Sequence, residues 1–305
     1  MLPEKPWKNG AVSRLGLSII VWLFLTGTAL AVLQFIQGSP KGSPWLFAGV
    51  VAMSVILSGV ALFLFRKLRT VSDWDHHMRI YLGGTSCLFG AFVASAAAAM
   101  LADGPTGNST LRTVIGAMGL QVGMLLLLPG FLREHQTNLA DAFGLSDNWK
   151  RSLLGGALGA FIFFPVGALL HMVSTRGMSQ LGWKPKMQNS VTVLANADSL
   201  VELVSLGVIT ILLAPVVEEI LFRGILYPWV KRLGYQRLAL WGVSVLFASI
   251  HGNLPAFLPL FLLAILLTKL YENTRNLLAP ITVHCLFNAA NFFLFLWENR
   301  PIGPP

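Results

Sequence analysis

Long apolar stretches dominate the chain, and short polar stretches separate them. Runs of about 20 apolar residues, enough for a helix to cross a bilayer, lie at 14–36, 45–65, 80–102, 111–132, 152–173 and 199–217. Shorter or interrupted runs follow at 217–231, 238–250, 254–271 and 277–297. This pattern predicts eight or nine transmembrane helices, the number depending on whether 217–231 continues the preceding helix.

The fold class follows from the same pattern. Strands can cross lipid only as a closed barrel, and none of these runs alternates between apolar and polar residues as barrel strands do. The sequence therefore predicts an all-α, polytopic transmembrane helical bundle. Most of the 22 Lys and Arg residues fall on the inner side when the N-terminus is inside, so we expect that orientation in a multi-pass protein of the cell (inner) membrane.

Composition strengthens the membrane prediction and excludes one class of partner. The chain is 55% hydrophobic and 11% charged, whereas soluble domains carry roughly 25% charged residues. The net charge of +9 arises from basic residues in short stretches between apolar runs, not from a basic patch with interleaved aromatic residues. We therefore expect the lipid bilayer as a partner and no nucleic acid.

A polar stretch at 133–151 divides the chain. We place there the boundary between an N-terminal four-helix transmembrane region, 1–150, and a C-terminal region, 151–300. The first region carries no pattern that indicates a function. The second contains all of the chemistry described below, within 198–297.

The first candidate site pattern is Glu218-Glu219-Ile-Leu-Phe-Arg223, inside an apolar run. Each charge at the centre of a bilayer costs roughly 2.5–3.5 kcal/mol on insertion scales, so three charges close together call for an explanation. Glu219 and Arg223 are four residues apart and share a helix face, which predicts a structural ion pair. Glu218 points about 100° away from Glu219 around the helix and has no partner nearby in the sequence. An unpaired carboxylate in an apolar site is suited to act as a general base.

Two further patterns supply imidazoles and an amide. His251 ends Phe-Ala-Ser-Ile-His at the close of a short apolar helix, and His284 and Asn288 share a face of the last helix. An uncharged amide donor suits stabilisation of an oxyanion. Together with Glu218, these side chains form the minimum set for adding water to a peptide carbonyl, with Glu218, His251, His284 and Asn288 as candidate catalytic residues.

The three patterns resemble a known family. EEILFR, FASIH and HCLFN are similar to the EExxxR, FxxxH and HxxxN signatures of the CPBP family, which comprises type II CAAX prenyl endopeptidases and related, Abi-like, bacteriocin-processing membrane proteins. The resemblance covers about 198–297, with each motif on its own apolar helix. It implies an intramembrane endopeptidase in which Glu218, assisted by His251, activates water. His284 and Asn288 would then stabilise the oxyanion, and Glu219 and Arg223 would form the structural pair.

A metal is an alternative that the residue types raise. Glu218, His251 and His284 would make a His₂Glu zinc site with an open position. The chain contains no HExxH pattern, and a zinc ion would occupy the glutamate that is needed as the base. We therefore expect no metal and no other cofactor.

Two other functional classes compete with the protease interpretation. Glu218 would serve as the proton carrier of a coupled transporter, but the sequence shows no inverted repeat. The same polar residues would also serve a non-catalytic scaffold that binds peptides or membrane partners. The complete set of motif residues favours an enzyme that acts on a membrane-associated peptide or protein.

Overall fold

A computed structural model describes residues 7–19, 121, 124–183, 188–197 and 199–299. All regular elements in these ranges are helices, which confirms the all-α prediction. The runs predicted at 45–65 and 80–102, with most of 14–36 and 111–132, lie outside the described residues. The total of eight or nine spans and the inside position of the N-terminus therefore stay predictions.

The chain divides into two compact units, and the smaller one is Asn9–Gln136. Its described parts include helical residues 9–19 and 124–134. Arg14 and Glu134 are both buried there and form an ion pair. The predicted functional boundary after residue 150 stays a prediction.

The larger unit comprises Met1–Lys8 and Thr137–Pro305. Its helices are α1 (Leu139–Phe143), α2 (Trp149–Gln180), α3 (Asn189–Ala195), α4 (Leu200–Arg232), α5 (Gln236–Ile250), α6 (Leu254–Thr274) and α7 (Leu278–Asn299). By length and composition, α2, α4, α6 and α7 are able to cross a membrane. Large apolar side chains cover their outer faces, as on α2, where Phe161 is 82% exposed. These features identify an integral membrane protein.

Helix α4 resolves the question left open at 217–231, because that run continues the preceding helix as one span of 33 residues. The helix begins with a capping box, in which Ser199 accepts from the backbone N–H of Glu202 and the Glu202 carboxylate accepts from that of Ser199. Two π-helical segments, Val208–Leu213 and Ile220–Leu226, interrupt its α-helical geometry. Such segments are rare and frequently mark functional sites.

Helices α2 and α7 pack closely against each other at Gly156. Gly156 is buried against α7, and a Cβ at this position would lie 2.6 Å from both the Ala279 carbonyl oxygen and Cβ of Thr282. The missing side chain therefore allows the two helices to approach at this point. The apolar core beside it is formed by residues of α2, α4, α5, α6 and α7, among them Phe163, Phe222, Phe247, Leu263, Leu267 and Val283.

We expect Gly156→Ala to lower the free energy of unfolding by about 1–3 kcal/mol, because the added methyl group overpacks the α2–α7 contact. Gly155→Ala is the matched control, since an added Cβ at Gly155 meets no heavy atom within 4 Å. Because alanine favours helix over glycine, that change stabilises or is neutral, within about 1 kcal/mol. Thermal unfolding in detergent micelles, followed by circular dichroism, measures both. Equal unfolding midpoints for the two variants would contradict the close contact.

Candidate active site

The two adjacent glutamates of α4 lie in different environments. Both end the short α-helical segment Ala214–Glu219, between the two π-helical segments. Consecutive residues on a helix point about 100° apart, so the two carboxylates leave the helix in different directions. The Glu219 side chain is fully buried, whereas the Glu218 side chain is 21% exposed.

Glu219 is the centre of a buried polar network that joins three helices. Its Oε1 accepts hydrogen bonds from Arg223 Nη1 and from His284 Nδ1, each at 2.8 Å. The second terminal nitrogen of Arg223 donates to the Ala264 carbonyl at 3.2 Å. The Glu219–Arg223 pair predicted from spacing is therefore present, and the same carboxylate also holds α7 through His284. Helix α6 is held through Ala264.

The hydrogen bond to Glu219 determines how His284 faces Glu218. A carboxylate beside an arginine only accepts, so Nδ1 of His284 carries the shared proton. The other ring nitrogen, Nε2, lies 3.9 Å from Oε2 of Glu218, too far for a hydrogen bond. Among the residues that the structure describes, Oε2 of Glu218 has no hydrogen-bond partner. The outer edge of the network is thus a carboxylate oxygen and an imidazole nitrogen that face each other.

His251 lies at the end of α5, at its C-cap position. Its Nδ1 donates to the Phe247 carbonyl at 2.7 Å, which leaves Nε2 as the nitrogen available to other groups. The ring of Phe247 connects His251 to the network: its centroid is 4.9 Å from that of His251 and 5.7 Å from that of His284. Cζ of Arg223 lies 4.5 Å from the same ring. Within the described ranges, no hydrogen bond or ion pair joins His251 to Glu218, His284 or Asn288.

Asn288 bonds to a carbonyl that a proline leaves without a donor. Its Nδ2 donates to the Thr210 carbonyl at 2.9 Å, in the first π-helical segment. There the Ala214 N–H bonds to Ile209, five residues back, so the donor for Thr210 would come from Pro215, which has no N–H. An amide nitrogen has two hydrogens, and among the residues that the structure describes only one of those of Asn288 makes a hydrogen bond.

The structure thus brings Glu218, Glu219, Arg223 and His284 together, and it bonds Asn288 of α7 to the Thr210 carbonyl of the glutamate-bearing helix. The catalytic roles assigned to these residues and to His251 stay predictions. Phe247 is part of the FASIH motif but received no role from the sequence alone, whereas its ring contacts His251, His284 and Arg223. Its position four residues before His251, on the same helix face, is the signal that would have indicated it.

The zinc alternative requires three convergent ligands. Across the described ranges of the chain, no group of three His, Cys, Asp or Glu side chains is arranged to hold a metal ion. The Nδ1 bonds of His284 to Glu219 and of His251 to its own helix leave Nε2 as the possible ligand atom of each histidine. Within the described residues, however, these side chains are not grouped as the three ligands of the His₂Glu alternative.

Comparison with known proteins agrees with the motif pattern. Residues 200–290 match the family described as type II CAAX prenyl endopeptidase, Rce1-like. This match confirms the resemblance predicted from the three motifs, and it supports a protease embedded in the membrane. No curated protein and no solved structure matches the chain.

The buried network predicts that replacing Glu219 destabilises the protein more than replacing Glu218. Glu219→Gln removes one member of a buried ion pair and leaves the Arg223 charge uncompensated, so we expect a loss of about 3–5 kcal/mol. Glu218→Gln is the matched control and should change stability by less than about 1 kcal/mol, because its side chain is 21% exposed and makes no hydrogen bond within the described residues. Thermal unfolding of both variants in micelles measures the difference. Equal stabilities of the two variants would contradict the central role of Glu219 in the buried network.

Proposed function

We propose that the chain is an intramembrane endopeptidase that hydrolyses a peptide bond with a water molecule activated by Glu218. The observation that carries this proposal is the contrast between the adjacent glutamates. One oxygen of Glu219, Oε1, accepts hydrogen bonds from both Arg223 and His284, while the Glu218 carboxylate makes no hydrogen bond in the described part of the chain and its side chain is 21% exposed. The family match over 200–290 supports the same class of reaction.

Glu218 is the general base in this mechanism. Its free oxygen takes a proton from a water molecule bound in front of it, and the resulting hydroxide attacks the scissile carbonyl carbon. The carbonyl oxygen then becomes an oxyanion. The tetrahedral intermediate then collapses: the C=O bond re-forms, the C–N bond breaks, and protonated Glu218 delivers its proton to the leaving amine, so that the carboxylate is regenerated.

His284 stabilises the oxyanion through Nε2, the nitrogen on the side of Glu218. For this role Nε2 carries a proton, and Nδ1 keeps the one that it donates to Glu219. The charges support that state: with His284 as an imidazolium, the two carboxylates are balanced by His284 and Arg223, and the cluster is neutral overall. A balanced cluster is the form that a low-dielectric bundle accommodates best.

Asn288 and His251 complete the set. Asn288 uses one N–H to hold the Thr210 carbonyl, and its second N–H is the additional oxyanion donor that we propose. His251 donates from Nδ1 to its own helix, so Nε2 is the atom that would exchange a proton with Glu218 or with the leaving amine. The shared packing of His251 and His284 on the Phe247 ring supports their action at one place.

The proposed substrate is a membrane-associated peptide or protein, and the proposed location is the cell (inner) membrane. The glutamates lie within a span of 33 residues, so the scissile bond has to reach the level of the bilayer. The description of the matching family suggests a prenylated CaaX tail as one form of this substrate.

Glu218→Gln should reduce cleavage by at least about 100-fold, because removing a general base costs about 10² to 10⁴ in rate. Three quenched fluorogenic peptides are offered to the purified protein in nanodiscs: a farnesylated CaaX peptide, the same peptide without the lipid, and an unrelated apolar peptide. Glu298→Gln, near the end of α7, is the matched control, and we expect it to retain wild-type cleavage.

The outcomes separate the proposal from its competitors. Loss of cleavage in Glu218→Gln, with an unchanged unfolding midpoint, supports the role of Glu218 as the base. Equal rates for this variant and the wild type would remove Glu218 from the mechanism. If the wild type cleaves none of the three peptides but binds one of them, the scaffold interpretation replaces the enzyme.

A further inference from the structure

The N-terminal segment makes a specific contact with the glutamate-bearing helix. Trp7 is buried, with 1% of its surface exposed, and its indole Nε1 donates to the Gly224 carbonyl at 3.0 Å. The Trp7 carbonyl in turn accepts from Arg232 Nη1 at 3.0 Å, eight residues further along the same helix. Trp7 is therefore hydrogen-bonded to two residues of α4, Gly224 and Arg232, although it lies far outside the stretch that matches the family.

A proline lies close to the Gly224 carbonyl. Gly224 belongs to the second π-helical segment, where the Tyr227 N–H bonds five residues back, to Phe222, and the next residue, Pro228, has no N–H to donate. The Thr210 carbonyl, which is bonded by Asn288, likewise lies in a π-helical segment that precedes a proline, Pro215. Each π-helical segment of α4 is thus followed by a proline, and each carries a carbonyl bonded by a side chain from elsewhere in the chain.

The side of Gly224 away from the helix axis is also filled. A Cβ at Gly224 would lie 2.6 Å from Cε1 of Phe143, so the phenyl ring of α1 packs directly on the glycine backbone. The rings of Phe143 and Trp7 lie 6.2 Å apart, centroid to centroid. Phe143 and Trp7 therefore both contact the second π-helical segment at Gly224, the residue that follows Arg223.

We propose that Trp7 is a positioning residue of the active site. Its indole N–H bonds to the Gly224 carbonyl, beside the proline that interrupts the backbone bonding of the helix, and so it holds the Ile220–Leu226 segment in the geometry that brings Arg223 to Glu219. Since Glu219 orients His284, a change at Trp7 reaches the reacting groups through Arg223 and Glu219. The structural part of this inference is independent of the reaction, whereas its effect on rate rests on the proposed endopeptidase activity.

The structural part is tested by hydrogen–deuterium exchange of the protein in nanodiscs. Trp7→Phe removes the N–H, and we expect about fivefold faster exchange in peptides covering 220–232, as the loss of one hydrogen bond predicts. Peptides from α7 should be unchanged. The matched control is Trp241→Phe, on the outer face of α5, where the side chain is 52% exposed; exchange over 220–232 should equal that of the wild type.

A second variant separates the hydrogen bond from the packing of the ring. Benzothienylalanine at position 7 keeps the bicyclic shape of tryptophan and replaces its N–H by sulfur. It should give the same fivefold increase even if Trp7→Phe fails to fold. Unchanged exchange over 220–232 in this variant would overturn the inference, whether or not the protein cleaves any peptide.

The effect on rate is measured with the fluorogenic peptides. We expect Trp7→Phe to lower kcat about fivefold and to leave KM within about twofold, because substrate contacts are untouched. Combined with Arg223→Lys, the loss should be less than the product of the two single losses, since both changes act on the same network. Strictly multiplicative losses, or a change confined to KM, would contradict a role that acts through Arg223.

Discussion

A carboxylate without solvent, in the middle of an apolar bundle, has to be neutralised by groups that the fold delivers to it. Glu219 satisfies this requirement with two donors on one oxygen, Arg223 from the next turn of its own helix and His284 from α7. Arg223 continues to the backbone of α6 at Ala264. The relative positions of three membrane helices therefore depend on a single ionised group. The candidate site, at Glu218 and Nε2 of His284, lies beside that group.

The adjacent glutamates meet this constraint differently. One oxygen of Glu219 joins two helices and fixes the protonated nitrogen of an imidazole, whereas the Glu218 carboxylate makes no hydrogen bond within the described residues. Two chemically identical side chains thus occupy different environments, because they differ in burial and point about 100° apart around the helix. Unequal environments of this kind are how proteins obtain distinct acid–base functions from like residues.

Side chains from elsewhere in the chain bond to two carbonyls of the glutamate-bearing helix. A backbone carbonyl at membrane depth has no water to bond to, so the protein supplies donors where a proline interrupts the backbone bonding. Asn288 supplies a donor near the first π-helical segment, and Trp7 supplies one at the second. The two contacts lie on either side of the segment that carries the glutamates, and they connect it to the last helix and to the N-terminal segment.

Apolar run lengths determined that the chain is helical and embedded in a membrane, because only a helix of about 20 residues satisfies its own backbone across lipid. Helical periodicity also determined the Glu219–Arg223 pair, whose partners are four residues apart on one helix. Periodicity reports only which side chains share a face, so it left open that His284 bonds to Glu219, that Asn288 bonds to Thr210, and that Trp7 reaches Gly224. Those contacts depend on how helices distant in sequence pack and rotate against one another, and only the tertiary structure decided them.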